Sequence, residues 1–487
     1  MNNELMETPG ERALREFGDA MRANPLEGRD LLTMERRIQE LLHVRGAELL
    51  AEVMRGADTD APEVDIAGER WGNRRVSKGE YYTIFGPVTL ERSTYQRMGR
   101  GRVAVPMELR LGLIEGTYTP KMARILSLTT AMMTDEDGEA FLAEVGTAIA
   151  SKSTIHRVPR MMAARHEERR AIIEKAIREQ DAIPEGATTI QVALDGVMVP
   201  QDGEHAKPRG RKTASPDPPR HEQRYGSVGD PGPANEDGHE GRAWHEGSVG
   251  TVAFFDAEGK RLKTTYLARM PEALKATLVQ SLRDEVKAVL DERPELNIVF
   301  ASDGAAPQWT ALEQMGAWLK PHHEGHAMFV VDAFHVAEYV QNAAHAIAGK
   351  DSAEAKVLAA TWRETLKEVE GGADTVLRSL RARLSRVEGA SAREDVEHAI
   401  AYIDNQSSRG RMRYAEALQR NYPIGTGITE AAAKTVVGTR MKRAGARFSQ
   451  HGGQTVMLFR TAALSGRFDA LHRELGASYK KPLKIAA

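Results

Sequence analysis

Three short segments of the chain decide its fold: TTIQVALDGVMVP (188–200), LNIVFASDGAA (296–306) and AMFVVDAFHVAEYV (327–340). Each segment opens with an apolar run of the length that a buried strand has. An aspartate and then a small residue follow each run, as Asp195-Gly196, Asp303-Gly304 and Asp332-Ala333. The pattern predicts buried strands that end at acidic side chains.

Strand and helix patterns alternate between these segments. GTVAFFDAEG (250–259) and LKTTYLARM (262–270) predict a hairpin that turns at Glu258-Gly259. Helical patterns follow over residues 271–292 and 309–318. Strands that alternate with helices indicate an α/β layered sheet, with carboxylates at the ends of its strands.

Two stretches interrupt this core, which we assign to residues 186–335 and 423–487. Residues 201–247 are dense in Pro, Gly, His and charge, so they cannot bury enough apolar surface to fold on their own and are predicted to be a disordered or ligand-ordered insertion. Residues 336–422 are charged and helical in pattern, which predicts an all-helical insertion. The segment PIGTGITEAAAKTVVGTRMKRAGARFS (423–449) then begins the last part of the core, with its basic C-terminal helices.

The first 180 residues divide into three regions. Residues 1–60 are predicted to form an amphipathic helical arm, which either packs on its own domain or makes a dimer contact. Residues 61–118 predict a small basic β-hairpin that turns at Gly86-Pro87. Residues 119–180 return to a helical pattern.

The helical region contains a candidate helix-turn-helix motif. Asp135 or Asp137 can cap a first helix, Gly146 supplies the turn, and Ser151 can cap a second helix that Pro159 is expected to end. An ordinary surface pair of helices is the alternative. In the motif, the second helix presents polar side chains to DNA phosphates and base edges: Lys152, Ser153, His156 and Arg157.

Composition narrows the class of protein. The 487 residues contain no cysteine, which excludes disulfides and thiolate zinc sites. Neither a membrane-spanning apolar run nor a secretion signal is visible, so we expect a cytoplasmic protein with no membrane partner. The net charge is −2, but the stretch from Lys434 to the last residue contains eleven Lys or Arg and only two acidic residues, Asp469 and Glu474. A second basic stretch runs over residues 70–124, and such patches indicate a nucleic-acid partner or a solvated surface.

Three carboxylates are candidates for a metal site. Asp195 and Asp303 end predicted strands, and Glu430 lies in the first turn of a predicted helix. Carboxylate oxygens suit Mg²⁺, which leaves room for water and phosphate. An acidic residue at a strand end is more often a turn or helix cap, so spacing alone leaves the structural alternative open.

Four segments carry a family resemblance: VALDGVMVP (192–200), FASDGAAPQW (300–309), VVDAFHVAEYV (330–340), and residues 425–471, which begin GTGITEAAAKTVVGTRMKRAGARFSQ. They resemble the bacterial Kra-type insertion-sequence transposases, a family similar to the Mutator-like branch of the DDE transposases. The resemblance covers roughly residues 70 to 475 and is most specific in the last segment.

This resemblance implies a ribonuclease-H-like catalytic core interrupted by the all-helical insertion, with the helix-turn-helix region bound to DNA. The implied catalytic and metal-binding residues are Asp195, Asp303 and Glu430, with two Mg²⁺ or Mn²⁺ ions. Asp332 and His335 match the family's aspartate-two-His signature and are implied to support catalysis. Local capping or packing is the alternative for His335. The implied partners are double-stranded DNA and further copies of the chain, at least a dimer, because two DNA ends must be joined.

Further basic residues are candidate DNA contacts. Basic residues follow Glu430 on the same predicted helix or just beyond it. They would contact DNA phosphates beside the metal site. Many relatives carry cysteines where this chain reads YQRMGRGRVAVP (95–106), so the family's zinc is not expected here. The candidates are Lys434, Arg440, Lys442, Arg443 and Arg447 after Glu430, and Arg97, Arg100 and Arg102 after the hairpin. A non-catalytic DNA-binding regulator and a metal-dependent nuclease on the same core are the alternative functions.

Overall fold

The computed structural model describes residues 7–23, 30–97, 101, 103–201, 243–443 and 446–485. The chain forms two compact units, one of residues 1–177 with 467–487 and one of residues 178–466. Both units combine helices with a sheet, so the predicted α/β class is confirmed. Arg100, Arg102 and most of the predicted insertion at 201–247 lie outside the described residues.

The N-terminal part of the chain contains the elements α1 (Pro9–Ala23), α2 (Leu31–Gly56), β1 (Val64–Ile66), β2 (Glu69–Thr83), β3 (Gly86–Gln96), β4 (Val103–Ala104), α3 (Pro106–Leu111), α4 (Pro120–Met132), α5 (Asp135–Val145), α6 (Lys152–Glu168) and α7 (Arg170–Glu179). The second unit continues with β5 (Thr189–Gln201), β6 (Ala243–Phe255), β7 (Arg261–Arg269), a 3₁₀ turn (Ala273–Lys275), α8 (Ala276–Glu292), β8 (Asn297–Ser302), α9 (Ala306–Leu319), a 3₁₀ turn (Lys320–His322) and β9 (Ala327–Val331). It ends with α10 (Ala333–Ala348), α11 (Ala353–Glu368), α12 (Gly372–Leu384), α13 (Ala390–Ser408), α14 (Tyr414–Gln419), α15 (Gly427–Ala432), a π-helical turn (Ala433–Gly438), α16 (Thr439–Met441) and α17 (Gln450–Leu464). The chain then returns to the first unit with α18 (Phe468–Tyr479) and β10 (Leu483–Ile485).

The sheet of the first unit has the order β10-β1-β2-β3-β4 and is antiparallel throughout. The hairpin predicted at Gly86 is confirmed, since Thr83 pairs with Gly86 across the turn. The sheet is larger than the predicted hairpin because β10 pairs with β1. This pairing differs from the sequence assignment of residues 423–487 to one core, since residues 467–485 belong to the first unit.

Helices α5 and α6 correspond to the predicted helix-turn-helix, with Gly146 in a left-handed conformation between them. Two predicted signals are wrong. The cap of α5 is Thr134, whose hydroxyl accepts from the Asp137 amide at 3.0 Å, rather than Asp135 or Asp137. Helix α6 does not end at Pro159 but continues to Glu168. The Ile155 carbonyl, which Pro159 leaves without its helical donor, instead accepts from the Thr130 hydroxyl at 3.2 Å.

The sheet of the second unit has the order β7-β6-β5-β8-β9. Strands β5, β6 and β7 are antiparallel neighbours, and β8 and β9 add in parallel to β5. Two predicted boundaries are wrong. Strand β5 does not stop at Asp195, because β6 pairs with it as far as Gln201. The same pairing places residues 243–247 in β6 rather than in the insertion.

Helices α8 to α14 form a single hydrophobic core with one face of this sheet. This core includes Val192 of the sheet and Leu282, Trp309 and Trp362 of the helices. The helical pattern predicted for residues 336–422 is confirmed, since the described elements between β9 and α15 are the helices α10 to α14. Helix α15, the π-helical turn and α17 cover the other face, against Val197 and Val249. Over the described ranges, no helix is both long enough and apolar enough to cross a membrane.

Candidate active site

The register of β5 and β8 places Asp195 and Asp303 next to each other. The two strands are parallel, and Ala193 pairs with Ala301. Each aspartate lies two residues beyond this pair, within β5 in one case and directly after β8 in the other. Side chains alternate along a strand, so both aspartates are on the same face, on strands about 4.8 Å apart. Both are intermediate in exposure.

Two hydrogen bonds attach the start of α15, which carries Glu430, to this same face. Thr251 of β6 pairs with Ala193 and therefore shares its face, and the Thr251 and Thr429 hydroxyls are 2.7 Å apart in the interior. The buried amide of Gln191, on β5, donates to the Gly425 carbonyl at 2.9 Å. Glu430 itself is exposed in the first turn of the helix, as the sequence predicted.

The three carboxylates interact electrostatically. Burial is the largest cause that raises the pKa of Asp195, to about 6, and the negative charges of Asp303 and Glu430 raise it as well. The Gly196 amide, which donates to Asp195 at 2.7 Å, and the ammonium of Lys275 act in the opposite direction. The site therefore gathers negative charge that is only partly compensated.

Sequence patterns did not indicate Lys275 or its partner Glu246. Lys275 directly precedes α8 and pairs with the Glu246 carboxylate on β6. Leu274 and Lys275 both have the positive φ angles that favour glycine, 55° and 53°, so the backbone is strained where it delivers this ammonium. Gly196 makes room for the pair, since a Cβ on it would lie 2.2 Å from a Glu246 oxygen.

Asp332 does not share the environment of the other aspartates, although it also follows a strand. Its carboxylate is 1% exposed. One oxygen accepts from the amides of Phe334 and His335 at 2.6 and 3.2 Å, and the other accepts from the Thr426 amide at 2.8 Å and from the Thr426 hydroxyl. Asp332 thus caps α10 and attaches it to the segment that precedes Glu430, which is a positioning role. The catalytic role that the resemblance implies stays a prediction.

His335 lies in a group of aromatic rings beside Asp303. Its ring contacts Tyr339 and Tyr402 edge-on, at 5.5 and 5.9 Å between centroids, and the two tyrosines stack at 4.0 Å. The Tyr402 hydroxyl donates to the Asp303 carbonyl at 2.7 Å. Burial, followed by the charges of its neighbours, raises the pKa of Tyr402. No sequence pattern singled out Tyr402, because a lone tyrosine in a charged helix is common.

Comparison with protein-family models and with curated proteins gives no match. The donor set of three carboxylates fits hard divalent cations such as Mg²⁺ and Mn²⁺, which prefer oxygen ligands. As the side chains stand, no group of three or more His, Asp or Glu residues in the described ranges is positioned to hold a metal ion. Glu430 is exposed, so its side chain has room to rotate toward the two aspartates.

Four of the five basic residues predicted to grip DNA after Glu430 are exposed. Arg440 is not, since it is 5% exposed. It lies four residues after the fully buried Val436, so both side chains are on the buried side of this helical segment. Arg440 therefore does not fit the expected DNA contact. The four exposed residues are Lys434, Lys442, Arg443 and Arg447.

The π-helical turn directly after α15 is a further feature that no sequence pattern indicated. Such turns are frequent at functional sites because they redirect the side chains that follow. The guanidinium of Arg460, on α17 and 8% exposed, donates to the Thr435 carbonyl within the turn at 2.6 Å and to the Thr439 hydroxyl at 2.7 Å. Arg460 thus holds the turn that carries Lys434.

The candidate DNA contacts of the first unit are exposed but partly engaged with their neighbours. On α6, His156 bonds to Asp135 at 2.8 Å, and Arg157 donates to the Tyr118 hydroxyl at 2.6 Å. Arg97 pairs with Glu69 at 3.0 Å. All of these side chains, together with Lys152 and Ser153, lie at the surface. A role in DNA binding remains a prediction for them.

Proposed function

We propose that this chain is a DNA transposase, which cleaves DNA and transfers the cut strand by in-line attack on phosphodiester bonds. The observation that carries the proposal is geometric. Asp195 and Asp303 each lie two residues beyond a pair on neighbouring parallel strands, and the Thr429 hydroxyl, next to Glu430, lies 2.7 Å from the Thr251 hydroxyl on the same sheet. Bringing like charges together destabilises a fold, so their convergence favours a functional site over a structural one.

We propose further that residues 178–466 form the ribonuclease-H-like core that the family resemblance implies. The strand order supports this, because three antiparallel strands precede two parallel ones, and the central pair β5 and β8 positions the two aspartates. The position of the helical insertion supports it as well. Helices α10 to α14 lie between Asp303 and Glu430 along the chain.

In this proposal, Asp195, Asp303 and Glu430 would hold two Mg²⁺ or Mn²⁺ ions. When bound, such ions activate the attacking oxygen and stabilise charge on the leaving oxygen. Gln191 and Asp332 fix the segment before Glu430 through bonds to Gly425 and Thr426, which limits how far the carboxylate can move away from the aspartates.

The reaction has two steps. In the first, a water oxygen bonds to the phosphorus while the bond from phosphorus to the 3′ oxygen breaks, which leaves a 3′-hydroxyl and a 5′-phosphate. In the second, that 3′-hydroxyl oxygen bonds to a phosphorus of the target strand and displaces the target's own 3′ oxygen. Lys434, Lys442 and Arg443 are exposed just after Glu430 and would contact the neighbouring phosphates.

The test is an assay with DNA that carries the sequences flanking the gene, in buffer with Mg²⁺, in which cleavage and strand transfer are scored separately. We expect the wild type to do both. We expect Asp303→Ala to bind this DNA with little loss of affinity but neither to cut nor to join it, because affinity comes mainly from Lys and Arg contacts.

Asp291→Ala is the matched control, since Asp291 is an exposed aspartate on α8 that pairs with Lys287. Mg²⁺-dependent cleavage by Asp303→Ala at the wild-type rate would contradict the site. Cleavage without joining by the wild type would identify a nuclease instead, and binding without cleavage would identify a DNA-binding regulator.

A further inference from the structure

Helix α2 carries a row of aliphatic side chains that remains exposed. The helix is 26 residues long. Five of its residues repeat at intervals of seven and four, so at 100° per residue they lie within about 60° of one another around the axis. We call them the α2 stripe: Leu31 (70% exposed), Ile38 (40%), Leu42 (54%), Leu49 (45%) and Val53 (62%).

The packing of α2 within its own unit does not use this stripe. Ala51 and Met54, on another face of the helix, are buried in a core with Tyr81. Arg45 and Glu48 face α1, through an ion pair of 2.5 Å from Arg45 to Glu11 and a bond of 2.6 Å from the Thr8 hydroxyl to Glu48. Single exposed aliphatic residues are common on protein surfaces, but a continuous row of five marks an interaction surface.

We propose that the α2 stripe binds a second copy of this chain, with the two α2 helices antiparallel about a twofold axis near Glu40. In this arrangement Leu31 of each copy lies opposite Leu49 of the other, and Ile38 lies opposite Leu42. The stripe is therefore complementary to itself over about 27 Å of helix, as a twofold interface requires.

Charge favours the antiparallel arrangement over a parallel one. Glu35 is an exposed residue between Leu31 and Ile38 on the same side of the helix. A parallel pair in register would oppose Glu35 to Glu35, whereas the antiparallel pair opposes it to Arg45. Arg45 already pairs with Glu11 and Glu48, and the five donors of its guanidinium allow a further carboxylate.

The area is also of the right order for two copies. The exposed fractions of the four residues that face each other, Leu31, Ile38, Leu42 and Leu49, amount to roughly 370 Å² of surface per copy, against about 800 Å² per partner in a standard stable interface. The stripe thus supplies the apolar centre, and polar neighbours such as Glu35 and Gln39 complete the rim. This inference goes beyond the proposed function and does not rest on it, because it uses none of the carboxylate residues.

The first experiment measures the mass of the full chain by sedimentation across a range of micromolar concentrations. We expect the wild type to have twice the mass of one chain and Ile38→Glu/Leu42→Glu to have the mass of one. The matched control is Leu32→Glu/Val44→Glu, which charges two aliphatic residues of α2 that are equally exposed but lie outside the stripe. It should remain a dimer, and circular dichroism should show the same helix content for all three proteins.

The second experiment tests the antiparallel arrangement by oxidative cross-linking. The chain has no cysteine, so introduced thiols are the only ones present. We expect Ile38→Cys/Leu42→Cys to form a disulfide-linked dimer and Ile38→Cys alone to form none. A wild type that stays a single chain throughout, or a stripe variant that still dimerises, would overturn the proposal. Cross-linking of Ile38→Cys alone would overturn the antiparallel arrangement, and none of these outcomes bears on the Asp303→Ala cleavage assay.

Discussion

The carboxyl edge of the sheet in residues 178–466 contains two regions that look alike in sequence and differ in structure. In the first, Asp195 and Asp303 lie on one face near Glu430, and burial and the two other charges raise the pKa of Asp195 to about 6. In the second, Asp332 is 1% exposed and accepts four hydrogen bonds. The number of donors around a carboxylate, rather than its place after a strand, distinguishes a candidate ligand from a structural residue.

The largest effect should come from Glu430→Gln, which removes one charge of the first region. We expect cleavage in a single-turnover assay to slow by on the order of 1,000-fold or more, because the residue is proposed to act in the reaction itself. Glu430 is exposed, so the free energy of unfolding in urea should change by less than about 0.5 kcal/mol.

Glu338→Gln is the control for this variant, since it neutralises an exposed carboxylate that lies 3.7 Å from His335. It should cleave like the wild type. Equal rates for Glu430→Gln and Glu338→Gln would remove Glu430 from the site.

The second region is tested by Asp332→Ala, which should act on stability first. The variant leaves the Thr426 amide and hydroxyl without their buried acceptor and uncaps α10, so we expect a loss of about 3 kcal/mol in the free energy of unfolding, measured in urea. Cleavage should fall as well, because the segment before Glu430 loses its attachment.

Asp374→Ala is the matched control, as it removes an exposed aspartate from the first turn of α12. If Asp332→Ala does not fold, Asp332→Asn serves instead, because its amide nitrogen cannot accept from Thr426. If the free energy of unfolding falls by less than about 1 kcal/mol in both variants, Asp332 does not hold α10 and the segment before Glu430 together.

Asp195→Asn should stabilise the protein at neutral pH. The pKa of about 6, against an ordinary 3.8, means that the folded state holds its proton more tightly than the unfolded state. The contribution of Asp195 to the free energy of unfolding therefore falls as pH rises from about 4 to 6 and stays lower above it, and asparagine removes this contribution. The variant should be more stable by up to about 3 kcal/mol at pH 7, with the difference vanishing below pH 4.

Urea unfolding at several pH values, in buffer with a chelator, measures this difference. A variant that is less stable than the wild type at pH 7 would show that Asp195 contributes to the fold and would place it with Asp332. Asp291→Asn, on the exposed face of α8, should show no such pH dependence.

The smallest effect should come from Lys434→Gln. Lys434 is exposed in the π-helical turn after Glu430, and one phosphate contact fewer should lower DNA affinity several-fold and reduce the slope of log affinity against log salt by about one. Fluorescence anisotropy at several salt concentrations measures both quantities. Lys287→Gln, which breaks a pair with Asp291 on α8, is the control, and an equal change in both variants would mean that only total charge matters.

Much of the second unit was predictable because its signals are local. The apolar runs of β5, β8 and β9, the hairpin of β6 and β7 and the helices between them follow from periodicity within about ten residues. Element ends were less predictable, since they depend on distant partners. Strand β5 continues past Asp195 only because β6 pairs with it, and α6 continues past Pro159 because Thr130 satisfies the freed carbonyl.

The candidate site divides in the same way. Asp195, Asp303 and Glu430 were predicted from patterns and a family resemblance. The residues around them were not predicted, since Lys275, Tyr402 and Arg460 lie in segments that carry no distinguishing motif. The burial of Arg440 was not predicted either, because a count of basic residues does not reveal which face of a helix is buried.

The sequence by itself determined the order of strands and helices, the absence of thiols, and the three acidic positions, because each is a property of residue type and short-range spacing. Tertiary structure alone decided that β8 pairs with β5, so that two aspartates share a face. It also decided that both carboxylate oxygens of Asp332 accept hydrogen bonds. It also decided that the α2 stripe stays exposed. The physical reason is that burial, charge coupling and hydrogen-bond saturation depend on which distant segments meet.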